Sequence, residues 1–335
     1  MSQPRITALI DTYNYARFIG HAIESVLGQD FPAEQMEVLV VDDGSTDDTR
    51  GVVARYGSRV RYLHKPNGGQ ASALNLGFAE ARGEFVALLD ADDVWLPGKL
   101  RRVVETFDAH PEAGMVYHTF FEVHPQRGRV EQTDFPAVTG AVLDRTHTRL
   151  TYRGQATSGT AFRRSALEKL LPIPETLRII ADGYLVLLIP FVAKVAAIGE
   201  PLAEYRLHGE NLFSFDKEVA SKLQRKLHCQ QVLIAEMKAW LEQRGWLGRP
   251  GVAQYVRRQE LAAQEMRFAL RSPGRLEFYR ALREEARIYH PIWSLRYRAF
   301  KWLSAASALL LGYDLYQRKL RASYRENEAL LQLRE

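Results

Sequence analysis

The first 125 residues alternate between apolar runs and amphipathic segments, and this alternation restricts the fold more than any other feature of the chain. The run Val38–Val41 is typical of a parallel strand that is covered on both faces. Periodicity predicts strands at 5–10, 38–41, 60–64, 84–89 and 114–123, and helices at 16–28, 46–56, 70–82 and 97–110. The order predicts an α/β, Rossmann-like fold, with a mostly parallel sheet and helices on both faces.

Polar clusters at residues 11–14, 42–48 and 90–93 follow three of these strands. Ligands of such sheets bind outside the carboxyl ends of the strands, so the clusters indicate a binding site. In Asp90-Ala91-Asp92-Asp93, three carboxylates beside an apolar core repel one another unless a cation neutralises them. Hard oxygen ligands favour Mg²⁺ or Mn²⁺, and a solvated turn at a helix start is the alternative.

The cluster at 42–48 opens the next predicted helix. We expect Ser45 or Thr46 to cap that helix, with Asp47 and Asp48 near its positive end. Capping does not account for the carboxylates of Asp42-Asp43, which emerge directly from the strand. A carboxylate in that position can accept a hydrogen bond from a base N–H or a ribose hydroxyl.

Composition and charge exclude several classes of protein. The chain has 335 residues, of which 46% are hydrophobic and 25% charged, so it is an ordinary globular sequence. Its single cysteine excludes an internal disulfide framework. The start of the chain lacks a basic segment followed by an apolar one, so we expect no signal peptide and a cytoplasmic location.

The charge is unevenly distributed along the chain. Residues 216–335 hold 23 Lys and Arg against 13 Asp and Glu, a net charge of +10, whereas the other 215 residues carry −5. The acidic part argues against nucleic acid as a partner, and the basic part suits an anionic partner or membrane surface. Arginine-rich helix surfaces are the alternative explanation for the basic part.

The second half of the sequence is mainly helical. Between 126 and 215 we predict strands at 159–162, 194–198 and 202–207, and helices at 164–171 and 182–193, the last kinked or shortened by Pro190. Beyond 215, helical spacing predicts a C-terminal helical extension with helices at 217–244, 252–271, 275–289 and 294–333.

An apolar stretch in the C-terminal region has the features of a helix that lies on a membrane. Residues 300–315 are too few for the roughly 20 that span a bilayer. Basic and aromatic side chains flank this stretch, which predicts peripheral contact of residues 290–321 with the anionic inner face of the cytoplasmic membrane. Packing on the first domain, or a homodimer contact, is the alternative.

Six short segments, in order and spacing, resemble the inverting family 2 glycosyltransferases of the GT-A fold. They are Thr12-Tyr13-Asn14, Val41–Asp47, Asn67-Gly68-Gly69 with Asn75, Gly83-Glu84, Leu89–Asp93 and Trp95-Leu96-Pro97. The resemblance covers about residues 4–210. It implies a catalytic domain at 1–215 that binds a nucleotide-sugar, followed by the helical region 216–335.

The resemblance implies a role for each matching position. The implied nucleotide-sugar site comprises Asp43 at the base, Asp11, Tyr13 and Asn14 in the nucleotide pocket, Asn67, Gly69 and Asn75 around the ribose and sugar, Asp90 on ribose and sugar, and Asp92 on the metal. The family often has Pro or Ser where this chain has Asp11, and a core aromatic is the alternative for Tyr13.

The implied catalytic base is Asp182. The family's Glu-Asp pair appears here as Ala181-Asp182, and one carboxylate suffices to take the proton of an acceptor hydroxyl. A helix N-cap is the structural alternative for Asp182, and the two roles are compatible. His208 and Arg206 match the segment that closes over the diphosphate, which implies a metal ligand and a phosphate contact.

The sequence therefore predicts a metal-dependent transfer, with inversion, of one sugar from a nucleoside diphosphate sugar, preferably a UDP-sugar, to an acceptor hydroxyl. The expected acceptor is a saccharide or lipid-linked glycan of the cell surface, with Arg163 or Arg164 facing a lipid-linked phosphate or lying on the surface. The processive Gln-x-x-Arg-Trp pattern is absent from the sequence. A non-catalytic nucleotide-sugar-binding or scaffold protein on the same fold is the alternative, and Ala181 is its best support.

Overall fold

The computed structural model describes residues 3–126, 128–131, 139–140, 156–209, 211, 220–249 and 251–289, and single positions between 303 and 314. The chain divides into two compact units. In the described part, the first unit comprises residues up to 211 and the second begins at 220.

The first unit is a mixed α/β structure. Its strands are β1 (Ile6–Thr12), β2 (Met36–Asp42), β3 (Arg61–His64), β4 (Phe85–Asp90), β5 (Val94–Trp95), β6 (Ala113–His124), β7 (Gly128–Glu131), β8 (Thr160–Arg163) and β9 (Lys194–Arg206). Its helices are α1 (Ala16–Leu27), α2 (Thr49–Ala54), α3 (Gln70–Glu80), α4 (Lys99–Ala109), α5 (Arg164–Leu167) and α6 (Ala181–Leu188).

One sheet contains all of these strands, in the order β3-β2-β1-β4-β8-β6-β9-β5, with β7 paired to β6. The pairs β1–β2, β1–β4, β2–β3 and β6–β9 are parallel, and β8 and β5 are antiparallel to their neighbours. Ala8, Leu9 and Ile10 of β1 are all fully buried, so both faces of the strand are covered. The predicted α/β class with a mostly parallel sheet is confirmed.

The strand register places the polar clusters together. Asp11 on β1 lies beside Val41 on β2 and beside Asp90 on β4. Thr12 pairs with Asp42. Because these strands are parallel, the clusters predicted at three strand ends meet at one edge of the sheet.

Three predicted elements differ from the structure. The strands predicted at 194–198 and 202–207 form one strand, β9, and a register shift near Pro201 accommodates the missing N–H of the proline. The helix predicted at 182–193 ends at Leu188, and a short 3₁₀ turn containing Pro190 follows. Strand β5 was not predicted, because two residues carry no readable periodicity.

The start of α2 also differs from the prediction. We expected Ser45 or Thr46 to cap this helix, and that expectation is wrong. The helix begins at Thr49 after Asp48, whose side chain makes no capping hydrogen bond, and the carboxylate of Asp47 accepts the backbone N–H of Thr49 at 3.1 Å. The hydroxyl of Ser45 instead accepts a hydrogen bond from the backbone N–H of Asn14 at 2.8 Å.

The described part of the second unit contains three long helices, α7 (Ala220–Gln243), α8 (Val252–Leu270) and α9 (Arg275–Tyr289). Arg257 on α8 forms two hydrogen bonds of 2.6 and 2.7 Å with Glu284 on α9 and one of 2.9 Å with Glu260. Rings of Phe268, Phe278 and Tyr313 pack together in an apolar cluster. Most of the helix predicted at 294–333 lies outside the described residues. No helix in the described part of the chain is long and apolar enough to cross a membrane.

Candidate active site

The centre of the site is the acidic loop that follows β4. Asp90 ends the strand, and potential ligand oxygens of Asp90, Asp92 and Asp93 lie within 4.8 Å of one another. Burial and the neighbouring carboxylates, Asp11 and Asp93 above all, raise the pKa of Asp90 well above its ordinary value. Three carboxyl groups held this close favour a bound cation.

Asp92 is paired with His208, which follows β9. The Nε2 atom of His208 lies 2.9 Å from Oδ2 of Asp92, and the amide of Asn211 reaches the same oxygen at 3.2 Å. The imidazole packs on the ring of Phe18 with a centroid separation of 4.4 Å. Its Nδ1 atom is buried and has no hydrogen-bond partner in the described part of the structure. The sequence-predicted metal residues are thus brought together.

Asp93 is bound by protein groups on both of its carboxylate oxygens. The hydroxyl of Ser158 donates to Oδ2 at 2.6 Å, and the backbone N–H of Arg206 donates to Oδ1 at 3.1 Å. Burial, followed by the charge of Asp92, raises the pKa of Asp93 to about 8. The third carboxyl of the loop therefore holds the loop to its surroundings, which leaves Asp90 and Asp92 the better placed of the three for a metal ion.

These residues suit a hard divalent cation. Asp92 and His208 offer an oxygen and a nitrogen ligand, and Asp90 adds a second carboxylate nearby. A divalent charge would offset the repulsion and burial that raise the carboxyl pKa values at this loop. The donor set fits Mg²⁺ or Mn²⁺ without distinguishing between them.

Arg206 borders the loop. Its Nε donates to the carbonyl of Asp92, its Nη1 lies 3.3 Å from Nδ1 of His21, and its guanidinium stacks on Phe18. The Nη2 atom is buried without a partner among the described residues. Arg206 thus keeps one donor available beside the acidic loop.

Asp182 lies in the first turn of α6, where the burial of its carboxyl raises its pKa. The side chain of Thr157 forms a hydrogen bond with this carboxyl. Ile180, with a φ of 57°, precedes the helix in the N-cap position, so Asp182 is not the cap. The base predicted from the resemblance is therefore a shielded carboxyl at the start of a helix.

Asp11 connects the acidic loop with Asp182. Burial, followed by the charge of Asp182, raises the pKa of Asp11 to about 7, and Asp92 contributes in the same direction. Gln70 hydrogen-bonds to Asp11, and its Oε1 accepts the backbone N–H of Ala181 at 2.9 Å. Oδ1 of Asp11 is buried without a partner in the described residues. The charges of Asp182 and Asp92 therefore both act on Asp11.

Asp43 is held by the turn between β3 and α3. It accepts hydrogen bonds from Lys65 at 2.7 Å and from the amides of Gly68 and Gly69 at 2.9 and 2.7 Å. Gly69 has a φ of +90°, and a Cβ there would come within 2.7 Å of the backbone of Arg178. Only glycine fits this close approach, which lets the amide reach Asp43.

Of the other residues predicted in the nucleotide pocket, Tyr13 is exposed to solvent, whereas the side chain of Asn14 is engaged within the protein. Tyr13 is 45% exposed, which excludes the alternative of a core aromatic. Asn14 adopts a φ of 59°, and its side chain accepts the amide of Thr46 at 2.8 Å, joining the loops after β1 and β2.

Two predicted asparagines and an arginine are committed to other parts of the protein. Oδ1 of Asn67 accepts a hydrogen bond from Arg178 at 2.6 Å, and the amide of Asn75 forms two bonds of 2.8 Å with the backbone of Ile173. Arg163 bonds to Glu84 and to the carbonyls of residues 107 and 113. These side chains hold loops and strands in place.

Four residues that contact the site were not singled out in the sequence. They are Gln70, Lys99, Thr157 and Ser158. For Thr157 and Ser158 the sequence did offer a signal, since two neighbouring hydroxyl residues stand just before the strand at 160–163. Gln70 and Lys99 carried no such signal, because their roles arise from contacts distant in sequence.

Comparisons with known proteins agree with this geometry. The family description "Glycosyl transferase family 2" matches residues 7–171. An uncharacterized glycosyltransferase from Nostoc is 39% identical over 217 residues, which cover 62% of this chain and 66% of that protein. An uncharacterized glycosyltransferase from Rickettsia prowazekii is 32% identical over 120 residues, which cover 36% of this chain and 37% of that protein. The chain thus matches about two thirds or less of the length of these relatives.

Solved structures share the fold. S. aureus TarS 1–349 superposes with a TM-score of 0.60 at 20% identity, covering 96% of this chain and 91% of TarS 1–349, and it has also been solved in complex with UDP-GlcNAc. The mannosyltransferase PcManGT from Pyrobaculum calidifontis, solved with GDP-Man and Mn²⁺, gives a TM-score of 0.50 at 21% identity and covers 92% of this chain and 88% of its own. With its acidic loop at the end of β4 and its family 2 domain at 7–171, the chain belongs to the family 2 glycosyltransferases of the GT-A fold.

Proposed function

We propose that the protein transfers a single sugar from a UDP-sugar to an acceptor hydroxyl with inversion, in a metal-dependent reaction. One observation carries the proposal. Asp11 and Asp90 are register partners on β1 and β4, and Gln70, which hydrogen-bonds to Asp11, also accepts the backbone N–H of Ala181 beside Asp182 at 2.9 Å, so Asp182 and the acidic loop lie at the same edge of the sheet. A base and a metal-binding loop at one site are what a direct displacement at a sugar carbon requires.

Asp182 is the general base of the proposed reaction. Its carboxylate accepts the proton of the acceptor hydroxyl as that oxygen attacks the anomeric carbon from the face opposite the diphosphate. One displacement inverts the configuration at that carbon. The burial that raises the pKa of Asp182 makes it a stronger base than an exposed aspartate.

Asp92 and His208 would hold the metal ion, with Asp90 beside them. When bound, the ion neutralises charge on the diphosphate leaving group. Arg206 presents its unpartnered Nη2 beside this loop and would bind a phosphate oxygen. No protein acid is then needed on the leaving-group side.

The donor assignment rests on the fold and the nucleotide pocket. TarS, with the same fold, was solved with UDP-GlcNAc, whereas PcManGT was solved with GDP-Man. We favour UDP because the TarS superposition is the closer of these two. Exposed Tyr13 would stack on the base, and Asp43 would accept a hydrogen bond from it with its remaining lone pair.

For the acceptor we propose a saccharide or lipid-linked glycan of cell-surface synthesis, met at the membrane. Leu303 and Leu310 are 73% and 76% exposed. Basic residues lie on both sides of this stretch in the sequence: Arg296, Arg298, Lys301, Arg318, Lys319 and Arg321. Exposed leucines between basic residues suit the anionic inner face of the cytoplasmic membrane.

Calorimetric titration with UDP, GDP and dTDP, with and without Mn²⁺, tests the donor site. We expect wild type to bind UDP in a Mn²⁺-dependent manner and Asp92→Asn to lose this binding. Asp182→Asn should bind UDP as wild type does but lose turnover with UDP-GlcNAc. Asp30→Asn, at an exposed aspartate, is the matched control. Binding of no diphosphate by folded wild type would reject the proposal, and binding without any turnover would favour the scaffold alternative.

Sedimentation with phosphatidylserine vesicles tests the membrane contact. The double variant Leu303→Glu/Leu310→Glu should lose vesicle binding, because the charges oppose insertion of this stretch. Leu276→Glu, at a leucine that is 54% exposed on α9, should bind vesicles as wild type does. Unchanged sedimentation of the double variant would contradict membrane binding, and a change in its oligomeric state would favour the homodimer contact.

A further inference from the structure

Two adjacent hydroxyl residues lie between the acidic loop and the helix that carries Asp182. Thr157 and Ser158 form a 3₁₀ turn with Gly159, directly before β8. Both are buried, with 6% and 2% of their surface exposed. A buried hydroxyl needs a hydrogen-bond partner, so the partners show what the turn connects.

The two hydroxyls bind carboxylates in different parts of the site. Thr157 hydrogen-bonds to the carboxyl of Asp182. The hydroxyl of Ser158 donates to Asp93 at 2.6 Å and accepts the backbone N–H of Asp90 at 3.1 Å. Ser158 therefore closes both ends of the acidic loop, and its chain neighbour contacts the base.

Hydrogen bonds to its backbone carbonyls also hold the turn in place. The carbonyl of Ser158 accepts Nζ of Lys99 at 2.6 Å and Nε1 of Trp95 at 3.1 Å. Lys99 is fully buried, and its Nζ atom lies 3.7 Å from the centroid of the Trp95 ring. The carbonyl of Thr157 accepts the hydroxyl of Thr160 at 2.8 Å. Burying a lysine is costly, so its use as a donor to this one carbonyl indicates that the position of the turn matters.

We propose that Thr157 and Ser158 are positioning residues that set the catalytic base and the metal-binding loop relative to each other. Thr157 orients the carboxylate of Asp182 through its hydroxyl. Ser158 fixes the spacing between Asp90 and Asp93, and so places Asp92 between them. The inference rests on the proposed function, because it assigns these residues to the same reaction.

The two hydroxyls should have separable effects. Ser158→Ala should weaken binding of Mn²⁺ alone, followed by the electron paramagnetic resonance signal of the free ion, by about tenfold, the scale of one lost hydrogen bond to a charged group. Thr157→Val should change Mn²⁺ affinity less than about twofold. Thr106→Val, which removes an exposed hydroxyl from α4, is the matched control.

The pH profile of UDP-GlcNAc hydrolysis, with water as acceptor, gives the second readout. In Thr157→Val, kcat should fall about tenfold. The acidic limb of the pH–rate profile should also move to higher pH by about one unit, because the hydrogen bond from Thr157 lowers the pKa of Asp182 and the variant loses it. KM should stay near the wild-type value. Thr157→Ser retains the hydroxyl and should restore both the rate and the limb.

Thermal melts of each variant establish that it is folded. Folded variants that match Thr106→Val in both readouts would overturn the inference, as would equal loss of Mn²⁺ binding in Thr157→Val and Ser158→Ala. A wild type that binds neither Mn²⁺ nor UDP would instead reject the proposed function itself, so the two failures are distinguishable.

Discussion

At the scale of single residues, the carboxyl groups of the site differ in what surrounds them. Asp43 accepts three hydrogen bonds, whereas Asp11 has a buried oxygen without a partner in the described residues. The sequence identified both as acidic residues at strand ends. It did not indicate that Asp11 lies close to Asp182, because that proximity depends on how α3, which carries Gln70, packs on both β1 and α6.

Replacing Asp11 by asparagine tests its raised pKa. Burial raises the pKa of Asp11 from its ordinary value of 3.8 to about 7. At any pH between these two values, the folded protein holds a proton on Asp11 that the unfolded chain has lost. Stability therefore falls as pH rises through this window. Asp11→Asn removes this loss, so it should raise the free energy of unfolding by about 3 kcal/mol more at pH 8 than at pH 5, at about 1.4 kcal/mol per unit over the roughly two pH units between 5 and the raised pKa. Urea unfolding at both values measures it, and an equal effect at both would contradict the raised pKa.

At the scale of elements, the connection between α3 and β4 shows how closely neighbouring segments approach. The sequence predicts a helix at 70–82, but α3 ends at Glu80 and Ala81 is already extended. A Cβ at Gly83 would lie 2.7 Å from the carbonyl oxygen of Phe85 and would also collide with the backbone of Thr7 on β1.

We therefore predict that Gly83→Ala lowers the free energy of unfolding by about 2 kcal/mol or more, since rigid backbone cannot move aside. Gly199→Ala is the matched control, because a Cβ at Gly199 meets nothing within 4 Å. The control should change stability by less than about 0.5 kcal/mol. Equal stability of the two variants in urea unfolding would show that the backbone near Gly83 yields easily.

At the scale of the whole molecule, the two compact units shift the pKa values of their carboxyl groups in opposite directions. In the first unit, burial and like charges raise the pKa values of Asp11, Asp90 and Asp93. In the second, hydrogen bonds from Arg257 lower the pKa of Glu284, and those from Arg257 and Lys238 outweigh burial to lower that of Glu260.

The units should accordingly respond to pH in opposite directions when no metal is added. Lowering pH from 8 to 5.5 lets the raised carboxyls of the first unit take up protons in the folded state, so its stability should increase. Below about pH 4.5, the unfolded chain takes up protons at Glu260 and Glu284 before the folded unit does, because their pKa values are lowered in the fold, so the second unit should lose stability. Amide hydrogen exchange, corrected for intrinsic rates, measures each unit; parallel changes in α8 and β4 would contradict the prediction.

The sequence alone determined the elements and the residue types of the site. Apart from β5, apolar periodicity predicted the strands and helices of the first 125 residues to within a few positions, because the spacing of apolar residues along a segment shows which of its faces is buried. The strand-end acids could be placed at one edge because parallel strands direct their carboxyl ends there. The ordered motifs then identified the family.

Only the tertiary structure decided which of these residues act together. Strand β8 enters the sheet between β4 and β6 and brings Thr157 and Ser158 to the acidic loop. Asn75 is committed to the backbone of Ile173, and Asp93 to Ser158 and Arg206. Such contacts join segments far apart in the chain. Their energies depend on packing and burial that local sequence patterns do not encode, so periodicity and spacing could not reveal them.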